Sequence, residues 1–442
     1  MPAVRVPQFP PIRQQLHGGP ITPARLTVGL LLIPLLLAGC GTDPGSATTP
    51  GSTAAGSSAG GSSAGGSTPT GTGTPNAGRS SSATPSGSGT ATQSPTPAAC
   101  ATLTGRLPLR DQVGQLFMVG VPTSGLTATT AATLSSTRTG SVILLGNTTA
   151  GRAGVRSLVG DVRDATRRPA GVRTLLAADQ EGGLVQRLKG PGFADMPSAR
   201  TQGTWSSSRL RSSAKLWGQQ LRAAGIDANL APVADVVPAS MLSVNQPIGV
   251  LRRGFSSDPA VVASHSAAFV AGMDAAGVAT SVKHFPGLGA VRGNTDLVTR
   301  VVDSTTTRHD KDLAGFRSAV EAGVDMVMVS SAYYSKIDPG RRAAYSPTVV
   351  TGMIRGDLRF GGVVISDDLA ARGTQDLAPG TRALRFLRAG GDLVIVGDPG
   401  QVRAMADAVR TAAADDPTTR RVVTEAARRV LAMKAGRGLA DC

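Results

Sequence analysis

Eight short apolar runs, at residues 115–121, 140–145, 174–179, 227–233, 280–284, 325–330, 362–367 and 392–396, dominate the second part of this chain. Each is nearly continuous rather than alternating, the pattern of a parallel strand buried on both faces. Between them lie stretches with helical spacing, of which 208–224, 260–276 and 313–322 are the clearest. Strands alternating with helices predict a parallel sheet, because each return to the same edge of the sheet needs a crossover helix. Eight strands favour closure into a ring over an open sheet. Residues 100–442 amount to roughly 340 residues, more than an average domain but suited to one (β/α)8 barrel with insertions. The fold class expected is therefore α/β, a single TIM barrel, and no internal repeat is evident.

What precedes the barrel has a different character. The first 24 residues hold Arg5 and Arg13 and no acid; Arg25 then leads into an apolar run from 26 to 37. Twelve residues are too few to span a bilayer, which takes ~20, but they fit the core of a signal peptide. The run ends Leu37-Ala38-Gly39-Cys40, which resembles a bacterial lipobox. That resemblance implies a lipoprotein signal over residues 1–39, lipidation of Cys40 and an extracytoplasmic chain anchored to the cell membrane. An ordinary signal peptide with a chance Cys is the alternative, and it also delivers the chain to an oxidising compartment. Residues 40–99 are almost wholly Gly, Ser, Thr, Ala and Pro. Such a segment has too little apolar surface to offset its ordering entropy, so a flexible tether is expected, with a reach of about 40 Å.

The formal charge is +16, and +13 once Arg5, Arg13 and Arg25 are removed with the signal. The arginines are scattered rather than run together, which argues against nucleic acid as partner. Attraction to anionic wall polymers or lipid headgroups suits the sign of the charge; simple solubility accounts for it equally well. Only three cysteines are present. With Cys40 lipidated, Cys100 and Cys442 are the remaining thiols. They bracket the folded part, and a closed barrel brings its first and last strands together, so a disulfide between them is expected. Four histidines without paired spacing point to no metal site, and no Gly-rich phosphate loop is present. No cofactor is expected, and the chain is read as a monomer.

Barrels of this class carry their chemistry at the C-terminal ends of the strands. Asp179 ends the third run, Lys283 and His284 the fifth, and Asp367 the seventh. Charged groups at the ends of apolar strands cost free energy unless they face a polar pocket. Asp368, beside Asp367, is read instead as the cap of a helix starting near Leu369. The fifth run opens into Lys283-His284-Phe285-Pro286-Gly287-Leu288-Gly289, an irregular Gly/Pro loop that continues to Asn294-Thr295-Asp296.

This stretch resembles the KHFPG(H/L)G motif of the family 3 glycoside hydrolases, in particular the β-N-acetylglucosaminidases. The resemblance extends from about residue 107 to 438. It includes Asp179-Gln180-Glu181-Gly182-Gly183, Ala231-Pro232-Val233, Arg253-Gly254-Phe255-Ser256-Ser257-Asp258-Pro259 and Ser366-Asp367-Asp368-Leu369. It implies Asp367 as a covalent nucleophile and Asp179, Arg187, Arg253, Lys283 and His284 as residues that hold the sugar; Glu181 is given no chemical role. It also implies an acid/base on the loop after the fifth run, normally the His of Asp-Ser/Thr-His. Here Asn294 and Asp296 stand in place of the Asp and the His. His265, in a helical stretch, and His309, in a polar one, are no substitutes. Either Asp296 replaces the His as acid/base, or catalysis leans on another group, or activity is weak; Asp296 is the residue put forward. The activity implied is retaining, exo-acting removal of terminal β-linked N-acetylglucosamine from wall-derived glycans or muropeptides. The alternatives are another family 3 exo-β-glycosidase, a phosphorylase, or a glycan-binding lipoprotein with little turnover.

Overall fold

The computed structural model describes residues 97–442, so the signal reading over 1–39, the Cys40 reading and nearly all of the 40–99 linker lie outside the described residues. Residues 97–99, assigned to the linker, form a 3-10 turn with Cys100.

Eight parallel strands make one sheet: β1 (Phe117–Pro122), β2 (Ser141–Leu145), β3 (Leu175–Ala178), β4 (Ala228–Asn229), β5 (Ala279–Phe285), β6 (Met326–Val329), β7 (Val363–Ser366) and β8 (Val394–Val396). Each strand from β1 to β6 pairs with the next, and β8 pairs back onto β1. The last seam, from β7 to β8, is a single bridge between Ile365 and Leu393, so the barrel is nearly closed. The helices that follow the strands are α1 (Ala128–Thr137), α2 (Gly151–Ala165), α3 (Ser207–Ala224), α4 (Pro259–Asp274), α5 (Ala314–Glu321), the π-type α6 (Thr348–Asp357), α7 (Pro379–Arg388) and α8 (Pro399–Asp415). A last helix, α9, spans Pro417–Gly436.

The fourth strand is shorter than the 227–233 run predicts. Pro232 has no N–H for the ladder, so pairing beyond Asn229 is reduced to one bridge from Val233 to Lys283. The carbonyls of Ala231 and Pro232 still accept from Ser281 and Lys283 N–H at 3.1 and 3.0 Å, which keeps the two chains together.

Strand alternation divides the core in two. Met118, Ile143, Leu175, Ala177, Met326, Met328, Ile365 and Ile395 pack inside the ring. Their neighbours Val119, Val142, Leu176, Val327 and Val364 face the helices.

The end of the barrel where the strands begin is a set of closed electrostatic contacts. Asp227, Asp325 and Asp392 lie just ahead of β4, β6 and β8. Each carboxylate accepts from a backbone N–H of the strand before: Leu176 at 3.0 Å, Thr280 at 2.9 Å and Val364 at 2.8 Å. Each is then neutralised from outside, Asp227 by Arg163 and Arg222, Asp325 by Arg437, and Asp392 by Arg355 and Arg429. Lys434 of α9, fully buried, seals the ring from below. Its ammonium donates to Gln115 Oε1 and Gly140 O, both at 2.6 Å, and to Arg173 O at 3.2 Å. Burial draws its pKa down to about 7.

At this same end the two termini of the domain meet. Cys100, Leu103 and Leu107 pack with Leu431, Ala432 and Ala440, and Cys100 is joined to Cys442 by a disulfide that closes a separation of 342 residues. In the loop-entropy account so long a loop stabilises by roughly 5 kcal/mol, an upper figure because measured values fall short of it. Cys442→Ser is expected to shift the denaturant midpoint downward by an amount equivalent to about 2–5 kcal/mol. Thiol titration of the unfolded, unreduced full chain should then find no thiol beyond that of Cys40; two more would refute the bridge.

Candidate active site

At the opposite face, the ends of β2, β3, β5, β7 and β8 surround a pocket of ≈ 350 Å³. Asp179, Arg187, Arg253, Lys283, His284, Asp296 and Asp367 all line it, together with Asn294 and Asp368. Every residue predicted from the sequence to bind sugar or do chemistry is thus in one place, although they span nearly two hundred positions of chain.

The walls follow from local structure. Beyond β3 the chain turns back on itself through Gln180–Gly182 and Val185–Gln186, a small hairpin. Gly182 makes that turn with φ +105°, and a Cβ there would lie 2.2 Å from Pro197 O, so only glycine fits. The hairpin turns Glu181 inward and carries Arg187 back to the rim, where Arg187 Nη1 donates to Asn147 Oδ1 at 3.1 Å. The Gly/Pro loop after β5 is held by Asn245. Its amide donates to Leu288 O at 2.7 Å and Val291 O at 2.7 Å, and its oxygen accepts from Gly249 N–H at 2.7 Å. Tyr334 adds a hydroxyl donated to Gly287 O at 2.7 Å.

On one side of the pocket the charges are locked in pairs. Lys283, 2 % exposed, donates to Asp179 Oδ1 and lies 2.7 Å from Glu181 Oε1. Arg253 grips Glu181 with two bonds of 2.8 Å, Nε to Oε2 and Nη2 to Oε1. Burial alone would raise the Glu181 pKa; the charges of Arg253 and Lys283 outweigh it and hold the carboxylate far below its usual range. Burial would likewise lower Lys283, but Asp179 and Glu181 raise it, so both partners stay charged. His284 is fixed by Asp235: Oδ2 lies 2.8 Å from Nδ1, while Oδ1 accepts from the Leu288 N–H at 2.8 Å. Its Nε2 faces Arg253 Nη2 at 3.5 Å.

Across the pocket Asp367 has no such partner among the described residues. Its backbone N–H continues the sheet to Val329 O at 3.0 Å, and its Oδ1 accepts from the Asp368 N–H at 2.9 Å. Burial raises its pKa to about 6, the charge of Asp296 adds to the rise, and His284 opposes it. Asp296 is exposed on the loop after β5, with its N–H bonded to Asn294 Oδ1 at 2.9 Å. That loop is tied to the segment after β7 by Gly373 N–H to Thr295 O at 2.9 Å. Asp296 and Asp367 line the same pocket.

Asp368 departs from the sequence reading, and Glu181 and Asp235 have structural roles that it did not assign. Asp368 caps no helix at Leu369; its Oδ1 accepts from Ala370 and Gly397 N–H, both at 2.8 Å, and so joins the end of β7 to the end of β8. Glu181 is the charge that holds Lys283 and Arg253 in place. Asp235 was missed altogether, although an acid two residues past an apolar run was the signal to look for. His265 is accounted for in α4, where its ring nitrogens lie 2.9 Å from Val261 O and Trp205 O, and His309 is exposed.

A half-buried carboxylate with a raised pKa, a second carboxylate on a loop of the same pocket, and a facing row of fixed cations and hydrogen-bonding groups is an arrangement suited to glycosidic bond cleavage. Comparison with known proteins agrees. The profile of the glycosyl hydrolase family 3 N-terminal domain matches residues 108–433. A β-hexosaminidase from Stenotrophomonas maltophilia is 35 % identical over 297 residues, covering 64 % of this chain and 84 % of that protein. One from Xylella fastidiosa is 34 % identical over 305 residues, covering 66 % and 87 %. Among solved structures, the β-N-acetylhexosaminidase from Beutenbergia cavernae superposes with a TM-score of 0.73 at 43 % identity, covering 75 % of this chain and 99 % of the other. A family 3 β-N-acetylglucosaminidase from Paenibacillus gives 0.67 at 28 % identity, covering 76 % and 64 %. The chain belongs to glycosyl hydrolase family 3, among its β-N-acetylhexosaminidases, and is a glycosidase.

Proposed function

We propose that this chain is an exo-acting, retaining β-N-acetylglucosaminidase that takes terminal GlcNAc from wall-derived fragments through a covalent intermediate on Asp367. One observation carries the reading: Asp367 and Asp296 share a single pocket, opposite the fixed group of Asp179, Arg187, Arg253, Lys283 and His284. A pocket of ≈ 350 Å³ suits one terminal sugar ring. Charged hydrogen bonds to the sugar hydroxyls orient it with C1 toward Asp367. In the first step Asp367 attacks C1 while a protonated Asp296 gives its proton to the departing oxygen. In the second, Asp296 as carboxylate takes a proton from water, which displaces Asp367 from C1. Asn294 leaves Asp296 without an adjacent anion on its own loop, which suits a neutral acid better than an imidazolium. A phosphate acceptor would have to approach Asp296 and Asp368 as well as C1, and this repulsion favours hydrolysis over phosphorolysis.

Asp367→Ala should lower turnover by several orders of magnitude without loss of folding. A fluorinated sugar inactivator should label Asp367; peptide mapping of the label to any other residue defeats the assignment.

The pH dependence follows from the same site. A nucleophile must be ionised, so kcat/KM should fall as the pH drops through about 6. Asp296 raises this pKa, so Asp296→Asn should move the acidic limb to lower pH on a substrate whose good leaving group needs no acid. A limb that stays in place would separate the two groups.

Asp296→Ala should lose far more activity on a poor leaving group than on a good one, and azide should restore the good-leaving-group reaction by replacing water. Equal small losses without azide rescue rule Asp296 out.

We also propose membrane anchoring through lipidated Cys40, supported by Leu37-Ala38-Gly39-Cys40 after a twelve-residue apolar run. Cys40→Ala should move the protein from the membrane fraction to the soluble one; unchanged partition refutes the anchor.

A further inference from the structure

We propose that the cleft between the chain following β6 and helix α7 is a binding site for a phosphoryl group, free or esterified, separate from the sugar pocket. The cleft holds ≈ 410 Å³ and is lined by Tyr333, Arg341, Arg342, Tyr345, Arg385 and Arg388, none of which borders the pocket at the barrel mouth.

Its charges are unbalanced. Four arginines line it, and the acids in contact with them are Asp376, which meets Arg342 at 2.8 Å, and Asp338, which lies 3.5 Å from Arg341. Among the described residues the Arg385 side chain has no hydrogen bond or ion pair, and Arg388 donates only to Thr419 Oγ1 at 3.2 Å. Both are exposed at the cleft rim. Deeper in the wall are two donors without acceptors. Tyr345 is 6 % exposed and Arg342 4 %, yet the Tyr345 hydroxyl and Arg342 Nε have no hydrogen-bond partner among the described residues. Buried donors are nearly always paired, and leaving one unpaired costs about 1–3 kcal/mol. Burial raises the Tyr345 pKa against the opposing charges of Arg342 and Arg382, so the phenol keeps its proton and remains a donor.

Every unpaired group here gives a hydrogen bond or a positive charge, so the matching ligand is an anion made of acceptors. The Tyr345 hydroxyl and Arg342 Nε are closed off behind the wall, so the donors open to a ligand are the Arg385 and Arg388 guanidiniums at the rim, with Arg341 and Arg342 adding positive charge beside them. A carboxylate offers two oxygens in one plane. A tetrahedral phosphoryl group offers three or more in different directions and meets both rim guanidinium forks at once.

The test uses the full chain with inorganic phosphate and, in a second arm, sn-glycerol 3-phosphate, by calorimetric titration at constant chloride. Saturable binding is expected, weakened about tenfold or more in Arg385→Ala/Arg388→Ala. Binding of both ligands assigns the phosphoryl group itself, and binding of the ester alone assigns an esterified phosphate. Hydrolysis of a chromogenic N-acetylglucosaminide by the double variant should equal that of the parent, which confirms folding. Binding of undiminished strength in the double variant, heat that never saturates, or displacement by equimolar chloride overturns the proposal.

Discussion

A lysine ammonium with almost no water around it organises the mouth of this barrel. Lys283 sits at the end of β5 and is charged only because Asp179 and Glu181, carried by the end of β3 and the hairpin after it, close on it. Separately, each of these groups would be costly to bury; together with Arg253 they form a network whose removal in part leaves an uncompensated charge. The network therefore fixes the relation of β3, β5 and the Arg253 loop to one another. It also explains why Glu181 is no acid or base: two cations hold it ionised.

Asp367, across the pocket, is the opposite case. Among the described residues it receives one backbone hydrogen bond and no cation in direct contact, so burial and the neighbouring Asp296, opposed by His284, set its titration. Glu181, buried behind the pocket wall, and Asp367, lining the pocket, are thus pushed in opposite directions, which lets one site hold a permanent anion and a titratable one together. An acid whose folded pKa lies above its unfolded value costs stability at neutral pH, a cost that grows as pH rises from about 4 to about 6. The compensation lies at the other end of the barrel. There Asp227, Asp325 and Asp392 each satisfy a strand N–H and an arginine, Lys434 fills the ring, and the disulfide joins the termini. Stability and chemistry are separated by the length of the strands, as in other barrels of this architecture.

How much of this could be read from the sequence differs from residue to residue. The strands were legible because burial on both faces is a local, periodic property; seven of the eight apolar runs became strands of nearly the expected extent, and the eighth, 227–233, was cut short by Pro232, whose missing N–H no hydropathy pattern registers. Asp179, Lys283, His284 and Asp367 were legible as charges at strand ends. Arg253 and Asp296 were recognisable only through resemblance to a family, because neither follows an apolar run.

Glu181 as a clamp, Asp235 behind His284 and Asn245 beneath the Gly/Pro loop were not legible. Their partners lie 72, 49 and 43 or more positions away, Arg253 for Glu181, His284 for Asp235 and Leu288 for Asn245. The sequence by itself determined the alternation of strand and helix and which side chains stand at the strand ends, since both depend on neighbours a few residues apart. Only the tertiary structure decided which of those charges are paired and which titrates, because a Coulomb energy depends on distance in space and on exclusion of water, and chain closure sets both.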